Sequence, residues 1–275
     1  MLKNTLSWMA AALVCGGCSQ PRSIVGMAPA ELPTPKQIDV VFNHNARSRY
    51  RSPLTGEWRN GDDMEAWLIE AIDGATEEVL VAVQELSLPR VAQALIAAKH
   101  RGVLVQVILE NNYRQAWSEQ RPSRLNQRER QRWHQLNRLA DSDRNGTTTA
   151  DEAFQGDAVA LLQAANIPRI DDTEDGSSGS GLMHHKFAVI DNKTVITGSF
   201  NWSPSAAHTN DETLLVIHSP QLAKHFTCEM DRLWESAELG ITPRIQRKLE
   251  RQRIRCGDGM ERESEDLEKG GTRQS

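Results

Sequence analysis

Apolar positions in this chain fall into short continuous runs separated by stretches with helical spacing. Ile38 to Phe42 is a short apolar run and reads as a strand. From Asp62 to Ala75 the residues Met64, Trp67, Leu68, Ala71 and Ile72 recur every three or four positions. That spacing predicts a helix, which Asp62 or Asp63 can cap. Val79 to Val83 predicts a buried strand. Pro89 near the start and Gly102 past the end frame a second helix, with Val91, Ala94, Leu95 and Ala98 on its apolar face. Val103 to Leu109 is another apolar strand. Strand, helix and strand in this order predict a parallel βαβ unit packed as α/β layers.

The pattern then changes. Arg114 to Arg138 holds seven arginines against Glu119 and Glu129, with Trp117 and Trp133 among them. A polar loop follows, then a helix from Ala153 to Ala165 and an acidic, Ser/Gly-rich linker from Asp171 to Gly181. Strand character resumes with Leu182 to Ile190, a turn at Asp191-Asn192-Lys193, and Thr194 to Phe200. Leu214 to Ile217 is a last strand and Pro220 to Ala237 a last helix. One α/β domain is expected, with an insertion between its halves.

Composition narrows the picture. Lys plus Arg number 32 and Asp plus Glu 37 among 275 residues, a net charge of −5. That balance argues against a protein that coats nucleic acid by bulk charge. No apolar run reaches the roughly 18 residues of an internal membrane span. Met1 to Asn4 with one Lys, the apolar stretch Leu6 to Val14 and then Cys15-Gly16-Gly17-Cys18 read as an export signal. The stretch also resembles a bacterial lipoprotein signal, which implies removal of residues 1–17 and acylation of Cys18. A linker, 18–37, would follow. The expected location is periplasmic or cell-envelope. Cys228 and Cys256 could pair there or stay as free thiols. Arg244 to Arg255 holds six basic residues and one acid in a helical-looking stretch, and Gly257 to Ser275 reads as a disordered tail.

The sharpest chemical signal is His184-His185-Lys186, Asp191, Gly198-Ser199-Phe200-Asn201, and then Asn210 and Glu212. Alternation along a strand puts His184 and Lys186 on one face and His185, Phe187 and Val189 on the other. A hairpin turn brings Ser199 and Asn201 back beside that first face. Lys186 then supplies charge to a phosphate, Ser199 and Asn201 supply hydrogen bonds, and His184 supplies a nucleophile or a proton carrier. His185 reads as an ordinary packed histidine. A zinc site is excluded because His184 and His185 leave the strand on opposite sides.

These residues resemble the phospholipase D superfamily signature H-x-K-x4-D-x6-G-S-x-N, which His184, Lys186, Asp191, Gly198, Ser199 and Asn201 fill without a gap. The surrounding text is similar to the branch that carries one motif per chain. The resemblance implies a mixed sheet flanked by helices over residues 38–240. It implies a phosphohistidine on one His, with a second His protonating the leaving oxygen and then activating water. One motif supplies one such His, so a homodimer sharing its active site across the axis is expected. Glu212 would hold the distal nitrogen of His184 and fix its tautomer. Asp191, at the turn, reads as structural. No catalytic metal is expected.

A second motif lies inside the insertion, at about 114–166. Residues 141–152 match a twelve-residue EF-hand loop, with Asp141, Asp143 and Asn145 at positions one, three and five, and Gly146 at six. Thr147 would offer its carbonyl, Thr149 its side chain and Glu152 a bidentate carboxylate. Gln127 to Ala140 and Ala153 to Ala165 would flank it as helices. Calcium is expected here as a structural clip; the alternative is an Asx-rich turn. Thr148 stands where paired loops place an aliphatic residue.

The substrate stays open between two readings. A phospholipid headgroup suits an acyl-anchored enzyme without a large basic surface. Nucleic acid suits the Arg114–Arg138 stripe with its tryptophans. The lean is to a phospholipase D-type hydrolase, with an endonuclease as the alternative and a non-catalytic, calcium-dependent surface protein as a third.

Overall fold

The parallel βαβ unit forms the middle of a mixed sheet. A computed structural model describes residues 36–167, 169–172 and 182–236. These residues belong to one compact unit of the chain, 32–275. The expected signal, most of the linker, the basic helix, the tail and Cys256 lie outside the described residues.

Strand β1 (Ile38–Phe42) is followed by a small hairpin, β2 (Arg49–Arg51) and β3 (Trp58–Asn60). Helix α1 (Met64–Asp73) starts on Asp63, whose Oδ1 accepts from the Ala66 amide at 3.0 Å. Strand β4 (Glu78–Val83), helix α2 (Pro89–His100) and strand β5 (Leu104–Glu110) form the expected unit, with β4 and β5 parallel. The insertion supplies α3 (Gln127–Ala140), α4 (Ala150–Gln155) and α5 (Ala158–Ala164), and β6 (Arg169–Asp172) returns to the sheet. Strands β7 (Lys186–Ile190) and β8 (Thr194–Gly198), helix α6 (Pro204–His208), strand β9 (Thr213–His218) and helix α7 (Pro220–Ser236) complete the described chain.

The seven-stranded sheet runs β1-β9-β8-β7-β4-β5-β6. Strands β4, β5 and β6 are parallel and the others pair antiparallel. Period-2 alternation sorts the side chains into two layers. Val79, Val81, Val83, Ala188 and Ile190 face α1, α2 and α5 in one apolar cluster. Leu80, Ala82, Phe187, Val189 and Val195 face α7 in a second. Leu68, Ile72 and Leu95 are fully buried, each a contribution of about 1.5–3 kcal/mol over exposure.

Several expectations change. The helix expected over 153–165 is two helices, α4 and α5. Asp157 breaks it, because its carboxylate is buried and caps α5 through the Val159 and Ala160 amides while accepting from the Ser118 amide and hydroxyl. Asp171 and Asp172 belong not to a linker but to β6, paired with Leu109 and Glu110. Strand pairing outweighed their low strand propensity. The strand expected from Leu182 starts at Lys186, and the one expected to reach Phe200 stops at Gly198. The β2–β3 hairpin and α6 had no apolar periodicity to announce them. Trp117 and Trp133, which the nucleic-acid reading would use for base stacking, instead pack edge to face at 6.0 Å in a local core with Leu136 and Ala140, the buried side of a solvated helix.

Candidate active site

Antiparallel pairing places the ends of β1, β4, β5 and β8 beside the starts of β7 and β9. The chemistry-bearing residues meet along that edge. The β7–β8 turn, at the opposite end, sets the register. Asp191 and Asn192 have φ of 52° and 50°, and the Lys193 amide donates to the Ile190 carbonyl at 3.0 Å, the geometry of a type I′ hairpin.

Asp191 fixes this turn to the segment before β4. Its carboxylate accepts from the amides of Thr76, Glu77 and Glu78 and from the Thr76 hydroxyl, at 2.8 to 3.1 Å. Burial pushes its pKa up, but these donors outweigh burial and hold it below the ordinary carboxylate range. Five residues of strand, about 16 Å at roughly 3.3 Å each, separate Asp191 from Lys186. Among the described motif residues, Asp191 is therefore the one the fold does not bring to this edge.

Lys186 is 9% exposed and opens β7 opposite Val83. Its Nζ donates to the His184 carbonyl at 2.7 Å and to Gln84 Oε1 at 3.3 Å. Two of its three protons are thereby placed, and the third is available to an anion. Burial lowers its pKa, while Glu212 acts in the opposite direction. Asn201 Nδ2 donates to the same Gln84 Oε1 at 3.3 Å. Gln84 thus holds the ammonium and the amide of the motif on a single oxygen. Its own amide donates to the His185 carbonyl at 2.9 Å, and its carbonyl accepts from the Glu110 amide at 3.3 Å. Sequence reasoning missed Gln84. A lone polar residue ending an otherwise apolar strand is the signal that could have found it.

His184 lies just before β7 and is exposed. Partial burial, then the electrostatic effect of Lys186 and His185, push its pKa below the usual histidine value, which favours the ring form with a lone pair to offer. His185 takes the other face, as expected. Its Nε2 lies 3.0 Å from Glu229 Oε1, and its ring meets Phe187 edge to face at 5.4 Å. Burial would raise the Glu229 pKa, but bonds from Arg232 and His185 bring it down to about 2.

Ser199 and Glu212 form a second pair on the rim. Ser199 Oγ donates to Glu212 Oε2 at 2.5 Å, and Asn210 Nδ2 donates to Oε1 at 3.0 Å. This corrects one expectation: among the described residues Glu212 holds Ser199 and Asn210, and no hydrogen bond joins it to His184. The antiparallel start of β9 aims the carboxylate along the hairpin rather than across it. Gly198 permits the close pass, since its φ is +154° and a Cβ there would lie 2.1 Å from the Thr213 carbonyl oxygen. The backbone of Trp202 bonds to Glu85 and Ser87 and seats the Asn201 segment beside β4.

The insertion loop forms a separate cluster between α3 and α4. Asp141 accepts from the Asn145 and Gly146 amides, and Asp143 accepts from the Asn145 amide and side chain. Asn145 Oδ1 accepts from the Thr147 amide, and Thr149 Oγ1 caps α4 through the Glu152 amide. Glu152 is half-buried, and the Thr149 amide, the Ser142 hydroxyl and their neighbours bring its pKa down to about 2. Asp141, Asp143 and Glu152 can each present an oxygen within 4.8 Å of the others. Gly146 takes the left-handed φ of +87° that a sharp bend at position six needs. Hard carboxylate oxygens around such a bend fit a calcium ion.

An exposed imidazole, a buried ammonium and an amide donor meet at one edge of the mixed sheet of an α/β domain, an arrangement able to take up an anion. The family described as "Cardiolipin synthase, PLD-like domain" matches residues 68–234, and the chain belongs to this phospholipase D-like family. A mitochondrial cardiolipin hydrolase of Xenopus laevis is 28% identical over 168 residues, 61% of this chain and 60% of that protein. A phospholipase D of Rickettsia bellii is 25% identical over 195 residues, 70% of this chain and 73% of that one. The chain spans 60% or less of the cardiolipin hydrolases of both Xenopus species. The solved Nuc structure of Salmonella typhimurium, a phospholipase D family member, aligns with a TM-score of 0.45 at 22% identity, covering 73% of this chain and 95% of that one.

Proposed function

We propose that the chain hydrolyses phosphodiesters through a covalent phosphohistidine on His184. The observation that supports this most is the single Gln84 oxygen holding both Lys186 and Asn201 beside an exposed His184 of lowered pKa. In the first step the imidazole lone pair forms a P–N bond and the P–O bond to the leaving alcohol breaks. A proton from an imidazolium passes to the departing oxygen. In the second step the same imidazole, now neutral, takes a proton from water. The new P–O bond forms as the P–N bond breaks. Lys186 and Asn201 counter the charge on the non-bridging oxygens, while Ser199, whose hydroxyl proton goes to Glu212, holds that carboxylate at the rim. His184 supplies one of the two imidazoles; among the described residues the other exposed histidines near this edge, His44 and His185, are held by Asp211 and Glu229. The second is proposed to be His184 of another copy, making the enzyme a C2 dimer.

The substrate reading is a phospholipid headgroup diester, in keeping with relatives named cardiolipin hydrolase and phospholipase D. Cleavage of DNA or RNA is the alternative. A calcium ion at Asp141, Asp143, Asn145, Thr147, Thr149 and Glu152 would order the insertion; it is proposed as structural. One preparation tests these statements. Stopping the reaction on a radiolabelled diester should leave acid-labile, base-stable label on His184. Equal turnover by His184→Ala, or full activity in a proven monomer, overturns the mechanism. Calorimetry that shows no calcium binding overturns the loop reading.

A further inference from the structure

The β2–β3 hairpin lies beside the site, contributes no residue to it, and carries the most exposed large aromatic among the described residues. Pairing of Arg51 with Trp58, and of Arg49 with Asn60, puts these four residues on one face. All four are exposed, Trp58 at 61%. The Arg49 guanidinium sits 4.5 Å from the Trp58 ring centroid, a cation–π contact. Arg51 Nε donates to the Gly56 carbonyl at 2.8 Å and stiffens the loop. Arg144, from the insertion, donates to the Thr55 carbonyl at 3.1 Å and brings another cation to the hairpin tip. From Asn45 to Asn60 the chain has four arginines and one acid, Glu57.

The other face of the hairpin is fastened to the active-site segment. The Tyr50 hydroxyl bonds to His208 Nδ1 at 3.0 Å, and Arg59 donates to the His208 carbonyl. Just ahead of the hairpin, Asn43 donates to the Ala206 carbonyl and accepts from the Glu212 amide, both at 2.9 Å. A charged outer face on a firmly seated hairpin beside the site is a surface for a partner rather than packing left unfinished.

We infer that the outer face of this hairpin docks the enzyme on an anionic phospholipid surface, with Trp58 at the headgroup level and Arg49, Arg51 and Arg144 against lipid phosphates. The inference rests on the phospholipid reading above and names how that substrate is approached. An indole is the side chain suited to the boundary between apolar and wet layers, and each arginine near an anionic leaflet adds attraction. Strand tracking of nucleic acid needs several rings in succession. Trp117 and Trp133, the other candidates, are packed against each other, and Trp58 alone serves a flat charged surface better.

The test uses the full chain, with Arg49→Gln/Trp58→Ala as the principal variant and Arg51→Gln as the second. Partition onto vesicles of phosphatidylglycerol, onto phosphatidylcholine and onto single-stranded DNA is measured beside hydrolysis of bis(p-nitrophenyl) phosphate. Wild type should prefer phosphatidylglycerol, in a salt-sensitive way. Each arginine removed should weaken that preference about fivefold, and the double variant should lose more than tenfold. Hydrolysis of the soluble diester should not change. Unchanged partition in both variants, loss of DNA binding with vesicle binding intact, or an equal fall in soluble-diester turnover each overturns the inference. A wild type that partitions but cleaves no diester sinks the catalytic reading and leaves docking standing.

Discussion

The β7–β8 hairpin and the 141–152 loop are both compact, polar clusters built around aspartates, yet they are held by opposite kinds of bond. Asp191 reaches residues 113 to 115 positions away, and Gln84 joins Lys186 and Asn201 across 102 and 117 positions. In the loop, Asp141 and Asp143 bond to amides two to five positions on, and Glu152 reaches back ten to Ser142. Long-range bonds anchored on a buried sheet fix atoms to one another through the core. The loop's carboxylate bonds fix its own shape, and Arg144 reaches out of it to the Thr55 carbonyl. The first arrangement suits the positioning of a reacting group, and the second suits a cluster whose geometry a ligand can complete.

Removing His184 is the largest expected break. His184→Ala should lower kcat at least a thousandfold on any cleaved diester, because the proposed mechanism loses both its nucleophile and the proton carrier of the proposed second copy. Its fold should be intact, as the side chain is exposed. The lowered pKa also sets the acid limb of the wild-type pH profile below the ordinary histidine range, since attack needs the neutral ring. A limb at or above that range would contradict the assignment of His184 as nucleophile.

Gln84 sharpens the comparison further. Gln84→Ala should reduce kcat ten- to a hundredfold, about 1.4 to 2.7 kcal/mol of barrier, with KM changing less. Gln84→Glu keeps an acceptor at that position and should recover part of the loss. A merely structural role would instead lower the melting temperature and leave kcat alone.

How much was legible in the sequence follows the same division. The βαβ unit, β1, α1, β9 and α7 were read from apolar runs and helical spacing, and α3 from its place beside the loop motif. The motif residues were read from spacing. Gln84 was not, since its partner oxygen matters only once β4 lies against β7. Glu212 was assigned to His184 because strand proximity was known and direction was not; the register gives it to Ser199. Strand β6 was hidden by two aspartates that only pairing with β5 explains. The hairpin at 49–60 was hidden because its buried side is Tyr50 and Arg59, which carry no apolar alternation.

Asp191 should show the reverse of Gln84. Asp191→Ala removes four charge-assisted bonds at the far end of β7 and should destabilise the fold by about 2 kcal/mol. For a domain of this size that is roughly 4–8 °C in Tm. Turnover at 20 °C should stay within about twofold, because the site lies some 16 Å away along the strand. The folded pKa of Asp191 is lowered, so its contribution is fully present above the unfolded value and fades as pH falls through the folded one. Wild-type stability should therefore drop more steeply than the variant's as pH is taken below about 4. Parallel pH curves would place the stabilisation elsewhere.

The smallest effect belongs to the loop. Asp143 is exposed, and among the described residues its side chain bonds only to Asn145. In chelator, Asp143→Ala should shift global stability by no more than about 0.5 kcal/mol. Calcium should then separate the two proteins. In wild type the amides of 141–152 should gain hydrogen-exchange protection with calcium, because the ion ties together oxygens that the chain alone leaves to local amides. The variant, short of one carboxylate, should gain little. Protection that spreads from the loop into β4 and β7 would mean that the two clusters are coupled through α3, whose Arg132 bonds Glu85 at 2.9 Å beside the site. Protection confined to the insertion would keep them independent, a calcium clip on one side and a phosphate site on the other.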